Sequence, residues 1–430
     1  MKTGLFGAGA IALSALGLPG IAFGGAFQLN ERSARSQGLS FADSVSGAKD
    51  PTYAGFNPAA LSKIENFAVG GNLSFIAPIS DGTTTTALFG GTEVPVGALP
   101  PTVATETNAD RSGIVPGFAA GYRVSDSVVL GISSKSPFGL STENPDNFIG
   151  AADGITSSLI TVEISPAFSW EPTDRLAVGA ALNILVLDAR LTNAPLVLDG
   201  QDVRVGFSLG GLWEPIDGTQ IGLAYHHGYD FAVDANAVFT PAAPGALGSL
   251  AGIPFDSVVE ASLPATLQLG VTQDITDDIR VSVEARGIFW SVFDSIDTTI
   301  PNTPAGTLFL EDPQNYENAF FVAVGGEYDV TEKFTLSTGV AYDDSPTIDS
   351  TATLEGRTVR VPDADRFWVS LGGSYDLEMF GQDMTIDAAY SYLFALEDPE
   401  VVLRSGPFEG SVVEYEGGAH IFTIGGSVRF

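Results

Sequence analysis

Leu176-Ala177-Val178-Gly179-Ala180-Ala181-Leu182-Asn183-Ile184-Leu185-Val186 repeats with a period of two: Leu176, Val178, Ala180, Leu182, Ile184 and Val186 share one phase and carry nothing polar. Successive side chains of a strand point to opposite faces, so this run predicts a strand with one wholly apolar face. The turn Glu171-Pro172-Thr173-Asp174 precedes it, and Val203, Val205, Phe207, Leu209 and Trp213 repeat the pattern in the next strand. Where the second face is visible it is mixed. Val281, Val283, Ala285 and Phe289 alternate with Ser282, Glu284 and Arg286, which predicts a polar face lining an interior.

From Asn66 onward the same unit recurs: about ten alternating residues, a tight polar turn, another such stretch, then a longer connection. The tight turns are Glu171-Pro172-Thr173-Asp174, Glu214 to Gly218, Asp274 to Asp277 and Asp329 to Glu332, with Val124-Ser125-Asp126 and Phe380-Gly381-Gln382 completing the periplasmic set. The longer connections, near 79–110, 140–154, 191–201, 234–256, 295–314, 344–362 and 397–411, then face outward. Counting hairpins predicts an all-β fold, a transmembrane antiparallel β-barrel of about fourteen strands. The last strand, His420 to Phe430, ends on an aromatic residue, like the signal read by the outer-membrane barrel-assembly machinery. A soluble β-sandwich also alternates. It has no reason to build aromatic strand ends such as Phe168 and Trp170, Tyr225 and Tyr229, Phe289 and Trp290, and Tyr390 and Tyr392, which read as interface girdles.

Residues 1–24 read as a signal peptide: Lys2, an uncharged apolar run from Leu5 to Ala22, and small residues at Ala22 and Gly24. Cleavage after Gly24 removes one Lys and no acid, so the exported chain is one unit more acidic than the formal −33. Such a charge excludes nucleic acid as a partner, because nothing offsets phosphate repulsion. With no cysteine in 430 residues, disulfides, thiolate metal sites and Cys nucleophiles are excluded. The longest uncharged run after the signal, Ala235 to Phe255, is interrupted by Pro241, Pro244 and Pro254 and by three glycines, so it is no helical span.

Gly25 to Ala60 keeps neither a period of 2 nor one of 3.6, and mixes small residues with Glu31, Arg32, Arg35, Asp43, Lys49 and Asp50. It reads as a compact irregular segment needing a host to shield its backbone, so residues 25–65 are expected to form an N-terminal hatch (plug) within a barrel of residues 66–430. Here the chain resembles the FadL-type outer-membrane transporters of hydrophobic compounds (the OMPP1/FadL/TodX family). The resemblance rests on Gly25-Ala26-Phe27-Gln28-Leu29-Asn30, Asn57-Pro58-Ala59 and Pro137-Phe138-Gly139-Leu140. It continues in Leu263 to Gly270 followed by Trp290, and in Pro362 to Trp368 leading into Gly372-Gly373-Ser374-Tyr375. It implies a fourteen-stranded barrel with a hatch inside, uptake of long-chain fatty acids or aromatic hydrocarbons, and lateral release at a kink in the third strand.

In the third strand, roughly Ser127 to Leu140, Pro137 lacks an amide hydrogen and Gly139 adds no side chain, and both loosen pairing. The expected substrate path is Asn57, Pro58 and Ala59 lying against Pro137, Phe138 and Gly139. Val238, Phe239, Leu247, Leu250, Ile253 and Phe255 make one outward connection unusually apolar, so they are read as a capture loop, with packing over the barrel mouth as the alternative. Arg190, Arg204 and Arg286 are candidate contacts for a carboxylate head group, or pair interior acids, as Arg286 would pair Glu284. His226 and His227 put their rings on opposite faces, which serves a joint metal site poorly. The acid clusters Asp343-Asp344 and Glu397-Asp398-Pro399-Glu400 beside outward connections read as solvated charge, with divalent-cation binding through oxygen ligands as the alternative; no metal site or cofactor is assigned. A wall hydrolase would want Ser two places from a His, and no His here has one. The reading is therefore a non-enzymatic outer-membrane channel for passive uptake of hydrophobic molecules, with outer-membrane lipid as its surroundings. A general porin or structural barrel remains the alternative, and an outer-membrane lipid hydrolase ranks below these.

Overall fold

The computed structural model describes residues 25–348, 356–379 and 381–430. The signal at 1–24, part of one outward connection (349–355) and Phe380 of one expected turn lie outside the described residues. Fourteen antiparallel strands form one closed sheet: β1 (Phe67–Phe89), β2 (Gly113–Ser125), β3 (Val128–Lys135, resuming as Gly139–Glu143), β4 (Thr156–Thr173), β5 (Leu176–Thr192), β6 (Leu196–Ile216) and β7 (Thr219–His226, resuming as Tyr229–Phe239). They continue as β8 (Pro254–Leu263 and Thr266–Asp274), β9 (Ile279–Ile288 and Ser295–Thr303), β10 (Gly306–Pro313 and Ala319–Thr331), β11 (Phe334–Asp343), β12 (Arg366–Met379), β13 (Gln382–Ala395) and β14 (Val412–Arg429). Closure is made by β14 on β1, in register from Ala68 opposite Arg429 to Thr86 opposite Val412. With no edge left, the backbone polar groups of the wall find partners without water, the condition for spanning lipid.

Alternation sorts the side chains as expected. Leu182, Val203, Val205, Phe207, Leu209, Leu223 and Leu269 are exposed on the outside, where lipid replaces solvent, while Ser133, Ser169, Asn183, Ser208, Glu284 and Arg286 are buried inside. Several strands run past the expected limits. Residues 79–89 continue β1, 235–239 continue β7, and 295–313 form a hairpin rather than a loop. The interruption at 227–228 in β7 shifts the side-chain phase, so Tyr229 (5% exposed) points inward, while Trp290 (0%) follows Ser282, Glu284, Arg286 and Ile288 in the inward phase; neither belongs to an interface girdle.

Residues 25–62 fill the lumen and are almost wholly buried. Their short turns are capped from within the sequence. Ser33 caps the helix Ala34–Gln37, Asp50 accepts from the Thr52 amide at 2.7 Å before the 3-10 turn Pro51–Gly55, and Asn57 accepts from the Ala59 amide at 3.0 Å before Pro58–Lys63. The wall makes room by omitting side chains. A Cβ on Gly222 would overlap the Val45 carbonyl, and one on Gly210 would overlap the Asn57 side chain.

Replacing Gly222 with Val is accordingly expected to expel residues 25–62 while the barrel still closes. Trypsin should then cut a folded, heat-shifting barrel at Arg32, Arg35 or Lys49. Gly287→Val, where a Cβ meets nothing within 4 Å, should leave the digestion pattern unchanged.

Candidate functional site

The third strand breaks at Ser136-Pro137-Phe138. Lys135 lies opposite Glu163 and Gly139 opposite Ile160, so three residues of β3 face only Thr161 and Val162 of β4. The surplus residue makes a bulge, which Pro137 tolerates because it has no amide to satisfy. On the other side the β2–β3 ladder stops at Phe118 opposite Ser134 and returns only as a bridge between Asp110 and Thr142. Among the described residues, 113–117 of β2 thus have no ladder partner on β3. The free backbone groups of the break are taken up from inside: Leu29 N donates to Pro137 O and Gly139 N donates to Phe27 O, each at 2.9 Å. Phe138 turns into the lumen and joins Phe27 (ring centroids 6.3 Å apart) and Trp290 (6.1 Å) in an aromatic cluster that extends to Phe293 and Tyr316.

Asn57, Pro58 and Ala59 lie elsewhere. The Asn57 amide donates to Gly211 O at 3.1 Å, Pro58 packs on Gly179 and Gly210, and Ser169 Oγ donates to Ala59 O at 3.2 Å. This turn therefore sits against β4, β5 and β6, where glycines admit it, and the segment at the third strand is Phe27–Leu29. Sequence reasoning placed the wrong part of residues 25–65 there, because a strand-like contact of three residues leaves no periodic mark.

Beside the break lies an apolar cavity of about 110 Å³, lined by Phe27, Leu140, Leu159, Leu187, Phe231 and Phe293 among others, with Ser158, Gln314 and Arg360 as its polar members. Arg360 is 8% exposed. One terminal nitrogen donates to Thr156 O, Ser157 Oγ and Thr192 O at 3.0–3.2 Å, and among the described residues it has no ion pair. Burial pushes its pKa down from the ordinary value, with Asp312 and Asp153 opposing. Asp312 is itself paired to Arg404 at 3.2 Å.

None of the three arginines singled out from sequence lines this cavity. Arg190 pairs with Asp199 at 3.3 Å and is half exposed, Arg286 pairs with Glu284 at 2.9 Å deep in the lumen, and Arg204 pairs with Asp202 at 2.7 Å. Arg360 escaped notice because its neighbours come from β4 and β5, far away in sequence. The one local signal was a cation between Val359 and Val361. Of the apolar connection, Phe239 is buried, Phe239 and Phe255 meet edge to face at 5.8 Å, and Leu247 packs on the cluster of Leu196, Ala237, Phe239, Ala243 and Ile300, while Ile253 is exposed. These residues form a separate cluster and do not line the cavity.

Toward the periplasmic turns the lumen becomes ionic. Lys135 pairs with Glu163 at 3.0 Å, Arg35 with Glu327 at 2.8 Å, and Arg280 with the same Glu327 at 3.0 Å. Below them a vestibule of about 840 Å³ is lined by Lys49, Asp50, Lys63, Asp274, Arg280 and Asp383, among others. Ser208 Oγ lies 2.8 Å from His226 Nδ1, but Nε2 of that ring is 2.7 Å from the Phe56 carbonyl, so Nε2 carries the hydrogen and donates, and Nδ1 accepts from Ser208. This contact is a buried link between the wall and residues 51–56, with no carboxylate behind the imidazole. His227 stacks outside on Phe207, so the two rings do point to opposite faces.

Closed barrels of this kind span outer membranes, and a filled lumen sets this one apart from water-filled porins: its class is that of outer-membrane transport proteins. Comparison with known proteins narrows the class. The chain belongs to the outer membrane protein transport family (OMPP1/FadL/TodX), whose profile matches residues 16–430. It is 25% identical to outer membrane protein P1 of Haemophilus influenzae, over 86% of this chain and 85% of that protein. It is 22% identical to the long-chain fatty acid transport protein of Salmonella typhi, over 97% of each. Among solved structures it resembles a Pseudomonas aeruginosa FadL homologue (TM-score 0.82, 20% identity, 94% of this chain and 99% of that one). It also resembles the Pseudomonas putida toluene transporter TodX (TM-score 0.67, 17% identity, 94% and 100%).

The buried Lys135–Glu163 pair joins the end of the intact part of β3 to β4 directly under the break, and Glu163 also accepts from Tyr229 at 2.7 Å. Removing one partner strands a buried charge, at about 3–5 kcal/mol. Lys135→Met should therefore destabilise the folded protein by about that much in urea titration, and Lys135→Met combined with Glu163→Gln should recover most of the loss.

Proposed function

We propose that this protein takes up amphipathic acids of the long-chain fatty acid type, holds the chain in the apolar cavity with the head group at Arg360, and releases it sideways through the break in β3. The observation carrying the reading is Arg360 itself. A buried guanidinium beside an apolar cavity that, among the described residues, is held by neutral oxygens is poorly compensated, and a ligand carboxylate would supply the missing charge with a strong charge-assisted hydrogen bond. An uncharged hydrocarbon would leave it as it is. The direction of release follows from polarity. Straight passage would carry an acyl chain through the ion pairs of Arg35, Glu327, Lys135 and Glu163 and into a charged vestibule, whereas the break opens onto lipid.

In this reading residues 25–65 act as the hatch, with Phe27–Leu29 as its movable part, and no catalytic step is involved. At the outer end of the apolar connection, the exposed Ile253 and part-exposed Leu250 serve as a landing surface, while Phe239 is buried in the packing of that connection. The final strand, with Phe430 half exposed and its amide bonded to Phe67 O at 2.9 Å, is offered to the barrel-assembly machinery, and the exposed apolar band to outer-membrane lipid.

Two outcomes test this. Arg360→Ala should weaken oleate binding to the purified protein at least tenfold, Arg360→Lys less, and neither should alter binding of toluene; equal losses for both ligands would remove Arg360 as the head-group site. Gln28 and Phe138 are bridge partners, so Gln28→Cys with Phe138→Cys should form a disulfide in this cysteine-free chain. Oxidation should then arrest oleate uptake by cells and reduction should restore it, while uptake indifferent to oxidation would exclude release at the break.

A further inference from the structure

The wall has a second interruption, between β6 and β7. Their ladder runs from the periplasmic end up to Ser208 opposite His226, with one further bond from His227 N to Phe207 O at 3.0 Å. It resumes at Gln201 opposite Asp234. Between these points residues 202–206 pair only with β5, and residues 229–233 only with β8. What joins the two edges is side chain. Arg204 donates through Nε to Asp230 O at 2.8 Å and through one terminal nitrogen to Ala232 O at 3.3 Å, and the same terminal nitrogen lies 2.7 Å from the Asp202 carboxylate. The ring of Tyr229 leans under Gly206, and Val233 under Gly200, so closely that a Cβ on either glycine would approach them to 2.9 and 2.7 Å.

The height of this seam is marked by the outward residues. Below it are Leu209, Phe207 and Leu223, exposed and apolar; within it Val203 and Val205 are exposed and apolar on β6 and Asp230 exposed and acidic on β7; above it are Asp199, Gln201 and Asp234, also outward. The seam thus straddles the boundary between lipid and the polar outer layer, whereas the break in β3 is bordered by Phe118 and Ile132, exposed to lipid. Directly inside it stand Phe231 and Val233, which line the apolar cavity.

We propose that the β6–β7 seam is a lateral inlet through which an acyl-chain molecule lying at the outer boundary of the membrane reaches the cavity, with Arg204 as its latch. The proposal rests on the fatty-acid reading above. The seam suits a slender chain, since two backbone edges parted without cutting either strand leave a slot, and its latch gives way by exchanging two carbonyl bonds for water. It divides the work: admission at the polar boundary, release at β3.

Gln201 and Asp234 are exposed ladder partners at the upper edge of the seam, so Gln201→Cys with Asp234→Cys staples it shut. Oxidised stapled protein should take up oleate at least threefold more slowly at low concentration than the reduced form, with equilibrium oleate binding by the purified protein unchanged. Arg204→Ala should speed uptake, and Arg204→Lys should do so less. Independently, Val233→Cys in vesicles should react with a bilayer-dissolved alkyl maleimide faster than Ala237→Cys, which is buried behind intact ladder. Equal uptake by oxidised and reduced protein, or equal labelling at the two positions, overturns the inlet. Purified protein that binds no oleate in either redox state refutes the fatty-acid reading itself, and this one with it.

Discussion

Backbone hydrogen bonding in a medium without water is the constraint on which everything else in this structure depends. A closed ladder satisfies it around most of the circumference; besides the turn at 289–294 between β8 and β9, two departures from it are patched by different devices. At β3 the patch is main chain, a strand-like contact from Phe27–Leu29 inside the lumen. At the β6–β7 seam it is a single guanidinium bonded to two carbonyls. A main-chain patch is withdrawn by moving a segment, and a side-chain patch by changing one rotamer.

Filling the lumen imposes its own terms. Residues 25–62 bring Arg32, Arg35, Asp43 and Glu31 into a space with little water, and the inner faces of the strands answer with Glu327, Glu284, Arg286 and the Lys135–Glu163 pair. Such pairs are weak sources of stability because desolvation offsets most of the attraction. Their consequence is selective: a polar layer lies across the axis, while aromatic and aliphatic side chains surround the cavity and the break. The sorting of polar from apolar surface inside the barrel is what separates a sideways path from a straight one.

Strand number and the facing of most side chains were legible in the sequence because period two is dictated by backbone geometry alone, as the run from Leu176 to Val186 illustrates. Legibility failed where that period was broken. The interruption at 227–228 shifts the phase of the residues beyond it, and a shift of one residue turns a side chain from lipid to lumen. Hence Tyr229 was misplaced by local alternation, whereas Trp290, in phase with Ser282, Glu284 and Arg286, was misread against it. Pro137 and Gly139 marked the break in β3 through their own chemistry, but which piece of residues 25–65 meets it depends on distant glycines at 179 and 210. Arg360 was hidden for a related reason: its oxygen partners belong to Thr156, Ser157 and Thr192, and no local pattern announces a contact made across the barrel.

The packed lumen has a further consequence at the level of the cell. A water column wide enough for a fatty acid would also conduct ions and leak small metabolites, coupling nutrient uptake to loss of the permeability barrier. Here residues 25–62 are buried in the lumen between the aromatic cluster and the ionic layer, and the ladder interruptions at β3 and at β6–β7 lie in the wall, facing the plane of the membrane. The electrical resistance and osmotic integrity of the envelope are then preserved while an oily molecule is passing through it.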